Sequence, residues 1–67
     1  MTKNDMIEIL YAIEVCKQEE RDLCYKYCKL NPEHARQRQA ERDLILEGMD
    51  RAWNEIKTRY EEDEKYA

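Results

Sequence analysis

Between residues 4 and 30 apolar positions recur at alternating steps of three and four: Met6, Ile9, Ile13, Cys16, Leu23, Tyr27 and Leu30. Glu20 is the one acid in the stripe, and Leu10 and Cys24 widen it. Such spacing lines one face of an α-helix. A second stripe, Ile45, Met49, Ala52 and Ile56, has Leu46, Trp53 and Tyr60 beside it and fades upstream into Ala35, Gln39 and Arg42. Asn31-Pro32-Glu33 separates the two. Asn is a favoured N-cap, Pro fits the first helical position, Glu suits the positive helix N-terminus, and the residue before a Pro is pushed out of the α region.

The pattern predicts an all-α, two-helix antiparallel hairpin in a single domain over residues 1–67. The first helix runs over about 4–30, capped by Thr2 or Asn4, with a tight turn at 31 and a second helix over about 32–63. Glu61, Glu62, Asp63 and Glu64 start an acidic tail, 61–67, read as a solvated end or as a mimic of nucleic-acid phosphates. Folding about residues 31 and 32 sets Met6 near Ile56, Leu10 near Trp53, Ile13 near Met49 and Cys16 near Leu46 or Glu47. The same register puts Glu20 near Arg42, where the pair either pins the register or lies apart at a surface edge.

Composition sharpens this picture. One Gly and one Pro leave no turn grammar for sheets. With 42% charged residues and no Phe, the chain has few large apolar groups for a core. A domain this small usually needs a disulfide, a metal or a partner subunit. Cys16, Cys24 and Cys28 are odd in number, and Cys24, Cys28 and His34 lack the four ligands and the C-x2-C spacing of a zinc site. Neither a staple nor a cofactor is expected, and self-association is left. The apolar run Met6 to Cys16 is broken by Glu8 and Glu14 and lacks a leader's basic start, so a cytoplasmic protein with reduced thiols and no membrane contact is expected.

Charge is unevenly divided. Residues 24–42 carry five bases against two acids, a net of +3, which leaves −7 elsewhere to reach the total of −4. At this basic loop end Lys26, Tyr27, Lys29, His34, Arg36, Arg38 and Arg42 are the candidate ligand-binding residues, for a nucleotide, another anionic small molecule or RNA. The alternative is a solvated face whose bases complement the helix dipole. The second helix, longer than the first, is expected to overhang the open end, with Met49, Trp53, Ile56 and Tyr60 as the oligomer interface. A single histidine, and no turn that would present a nucleophile, point away from an enzyme.

Two helices about a central turn, with an acidic C-terminus, resemble the plasmid RNA-binding hairpin Rop, which pairs two hairpins into a four-helix bundle. No stretch here matches that family's RNA-binding face, so the resemblance implies architecture alone. Leu46-Glu47-Gly48-Met49 followed by Trp53 is similar to the second helix of phage helical-hairpin sponges that sequester nucleotide immune signals, although the spacing of Met and Trp departs from theirs. The functional expectation is a non-enzymatic phage or mobile-element inhibitor, a viral anti-defence protein that binds a host protein as a homo-oligomer. A nucleotide sponge is the alternative, and a Rop-like RNA-binding hairpin the third reading.

Overall fold

In a computed structural model that describes residues 1–66, helix α1 spans Lys3–Leu30, a single 3-10 turn spans Pro32–His34 and helix α2 spans Ala35–Tyr66. Ala67, the last position of the expected tail, lies outside the described residues. The acids Glu61, Glu62, Asp63 and Glu64 continue α2 instead of leaving it.

Thr2, not Asn4, starts α1. Its hydroxyl accepts the Asp5 N–H at 3.1 Å, and the Asp5 carboxylate accepts the Thr2 N–H at 3.3 Å, a reciprocal cap. At the turn Asn31 serves α1 rather than the following helix. Its backbone N–H and its side-chain amide both donate to the Tyr27 carbonyl, at 2.9 and 3.1 Å, and no side-chain cap is made toward Pro32. The expected N-cap is thus a C-cap, because the last carbonyls of α1 also need donors. Pro32 then begins the 3-10 turn where no N–H is required.

The two helices form one flat layer, with extents of 53, 17 and 8 Å. Cys28 Sγ lies 3.6 Å from the Ala35 carbonyl, Cys24 Sγ 3.8 Å from that of Arg38, and the Met1 amino group 3.7 Å from Asp63. The register inferred from the turn therefore holds along the whole hairpin.

The seam between the helices is not the stripe read from the sequence. Met6, Leu10, Ile13, Lys17, Glu20, Cys24 and Cys28 of α1 face Ala35, Arg38, Arg42, Leu46, Met49, Trp53, Ile56 and Tyr60 of α2. Cys24 alone is fully buried, at 1% exposure, and the others are half-covered. Ile9, Cys16, Leu23, Tyr27 and Leu30, five of the eight positions of the expected stripe, are exposed. The difference has a simple cause. The apolar positions of α1, more than half of its 28 residues, are more than one neighbouring helix covers, and the hairpin uses one edge of that band.

Two ions complete the seam. Lys17 lies in it by its aliphatic stem while Nζ reaches Asp50 at 2.5 Å and Glu14 at 3.5 Å. The expected Glu20–Arg42 pair is replaced. Arg38 reaches one turn along to put Nη1 2.6 Å from Glu20 Oε1, and Arg42 turns to its neighbour Asp43 at 2.9 Å.

Candidate functional site

The bases at the loop end do not converge. Among the described residues, Lys26 and Arg36 are exposed and line no hollow with the other bases. Lys29 lies over the Tyr25 ring, 4.9 Å from its centroid, and Arg42 donates through Nε and Nη2 to Asp43. Tyr27, His34 and Arg38 do meet, lining an open hollow with Gln37 and Glu41. Its charge is mixed. Arg38 is held by Glu20, whose carboxylate raises the guanidinium's pKa further, Glu33 lies 3.8 Å from His34 Nε2, and Glu41 stands in the wall. An anion would find one aromatic ring, one imidazole and one already paired guanidinium there.

Next to the hollow, Cys24 and Cys28 bring their sulfurs within 3.9 Å on successive turns of α1. Each meets a backbone carbonyl of α2. Desolvation, and then the hydrogen bond with Cys24, push the Cys28 thiol up, opposite to what a nucleophile needs. Among the described residues no three His, Cys, Asp or Glu side chains are grouped to hold a metal.

At the open end, Met49, Trp53, Ile56 and Tyr60 are half-covered by α1. Lys57 lies over the Trp53 ring at 5.4 Å, and the Tyr60 hydroxyl donates to Glu64 at 2.6 Å. The expected overhang shrinks to the residues past Asp63, because Met1 and Thr2 carry α1's end alongside Tyr60 and Asp63.

The larger feature is the contrast between the layer's two broad sides. Tyr27 of α1 and Glu41 of α2 line one hollow and so mark the same side. Ile9 lies five full turns before Tyr27, and Ile45 one turn after Glu41, so both share it. By the same phase Cys16, Leu23 and Ala52 join them. Leu23 is 58% exposed, Ile45 42% and Ile9 38%. The opposite side carries the hollow of Glu14, Lys17, Asp50, Trp53 and Asn54, with its ion pairs. Sequence reading found these apolar positions but assigned them to the seam, and on α2 the same phase also carries Glu41 and the pair Glu55 and Arg59, 3.1 Å apart. No helix of the described residues is long and apolar enough to cross a membrane. No protein-family model, curated protein or solved structure matches this chain.

Proposed function

We propose that this chain is a non-enzymatic binding protein that works as a homo-oligomer in the cytoplasm and inhibits a host protein by docking on it, as small phage and mobile-element proteins do. One observation supports the reading above the rest: a hairpin in which Cys24 alone of the described residues is fully buried exposes Leu23, Leu30 and Leu44 by more than half. Contiguous exposed apolar surface marks an interaction site, and Ile9, Cys16 and Leu23 recur along one side of α1. The raised Cys28 thiol and the mixed-charge hollow add no reactive group to it.

A second reading, a sponge for a nucleotide or similar anion, is favoured by the meeting of Tyr27, His34 and Arg38 in one hollow. Native mass spectrometry of the chain isolated from its source cell tests both. The inhibitor reading expects multiples of the 8.2 kDa chain with a protein retained. A retained small anion, lost in Arg38→Ala, would replace it with the sponge. Retained RNA, released with a steep dependence on salt, would replace it with the RNA-binding reading.

A further inference from the structure

We propose that a second copy of this chain covers the broad side bearing Ile9, Cys16, Leu23 and Ile45. It stacks with its turn at the opposite end, so that the two Cys16 side chains face each other at the two-fold axis. This deepens the oligomeric reading above by naming the surface and the arrangement.

Size comes first. The layer measures 53 by 17 Å, so one broad side offers on the order of 900 Å², against about 800 Å² per partner in a standard stable interface. The two sides are not equivalent. One is closed by the Lys17 ion pairs to Glu14 and Asp50, whereas the other presents Ile9, Cys16 and Leu23 at seven-residue intervals on α1. Regular apolar spacing on a face that no helix of its own chain covers is what a neighbouring helix packs against.

Self-complementarity selects a second copy. A two-fold axis through Cys16 brings Ile9 of one copy against Leu23 of the other, and Leu23 against Ile9. Cys28 sits against Ala35, so Cys16 lies beside Glu47, and the same axis brings Ile45 to within one residue of facing Gly48 of the second copy. Apolar groups meet along α1 without any shift, and on α2 the small Gly48 and Ala52 come opposite Ile45 and Glu41.

Charge selects the direction. Residues 24–42, at the turn, carry +3 and the rest of the chain −7. With the turns at opposite ends, each basic turn lies over the acidic open end of the other copy, whereas turns at one end would stack like on like. Glu20 and Arg38, already 12% and 18% exposed, would then be sealed as a pair.

Sedimentation and cross-linking test this together. The wild-type chain is expected to sediment at twice 8.2 kDa at tens of micromolar. Diamide, which takes the two thiol hydrogens and is itself reduced to the hydrazine, is expected to give a covalent dimer that Cys16→Ser abolishes. Leu23→Glu is expected to weaken the dimer by on the order of a hundredfold or more, by burying a charge in an apolar contact. Ile7→Glu, half-exposed outside this stripe, should leave it unchanged. A monomer would overturn both this arrangement and the oligomeric reading. An oligomer indifferent to Leu23→Glu, or one without a Cys16 cross-link, would overturn this arrangement alone. The cross-link is read on the wild-type fold, so the test stands even if Leu23→Glu fails to fold.

Discussion

Arg38 Nη1 lies 2.6 Å from Glu20 Oε1, yet that oxygen is closed to solvent and receives no aligned hydrogen bond. The contact is a charge pair, held across the seam by reach rather than by direction. A carboxylate in that position depends on its one cation, since removing a partner leaves a charge both desolvated and uncompensated.

Arg38→Ala is therefore expected to lower the melting temperature more than Glu20→Gln does, because it strands a carboxylate oxygen that is closed to solvent, whereas the Arg38 guanidinium freed by Glu20→Gln keeps contact with water and the charge of Glu41. A double-mutant cycle of Glu20→Ala and Arg38→Ala should show favourable coupling, and Arg42→Ala should show none with Glu20. Coupling of Glu20 to Arg42 instead would restore the register pairing that Arg38 displaces.

Gly48 lies within α2, and a Cβ built there meets only the Arg51 guanidinium, at 3.7 Å. In a helix interior the smaller entropy loss of Ala then decides the outcome. Gly48→Ala is expected to stabilise the fold by about 0.5–1 kcal/mol in urea titration. Gly48 lies seven residues after Glu41, on the broad side that the second copy covers, so the gain is expected at concentrations where the chain is monomeric, and a loss confined to higher concentrations would mark the second copy's approach there.

Thr2 and Asp5 cap each other's backbone at the start of α1. Thr2→Ala should cost about 1 kcal/mol and reduce helicity by circular dichroism, whereas Asn4→Ala, which removes no cap, should not.

Three groups titrate in the same direction. The hydrogen bond to Asp50 raises Lys17 from 10.5, the hydrogen bond to Glu64 raises Tyr60 from 10.0, and desolvation raises Cys28 from 9.0. In each case the folded chain holds its proton more tightly than the unfolded chain. Their contributions are therefore complete below the ordinary values and lost as pH climbs through the raised ones. The melting temperature should fall from about pH 9 upward. Tyr60→Phe combined with Cys28→Ala should flatten that fall, and an unchanged slope would remove these groups as its cause.

The helices, the turn and the register were legible in the sequence because each rests on local rules: a capping Thr, a Pro that ends one helix and starts the next, and apolar residues at helical spacing. The choice of seam was not. Ile9, Cys16 and Leu23 and the pair Leu10 and Cys24 flank the same band, and periodicity alone does not say which edge meets α2. Lys17 was missed because its charge hides a four-carbon stem, and Glu20's partner because a long Arg side chain reaches a turn beyond its own backbone position. Of the candidate ligand residues, only Tyr27, His34 and Arg38 come together, since adjacent positions on a helix diverge by about 100°.

Every contact across the hairpin is made through a single 3-10 turn, so the sequence distance it must bridge grows steadily away from Pro32. Cys28 reaches Ala35 across 7 residues and Cys24 reaches Arg38 across 14, whereas Lys17 and Asp50, or Met1 and Asp63, close far longer loops. Closure entropy rises with each of these steps, if slowly. The chain is thus arranged to zip from the turn outward, with thiols and short loops first and the long-range ion pairs last. Amide hydrogens around Cys24 and Arg38 should be the slowest to exchange and those at the open end the first to go.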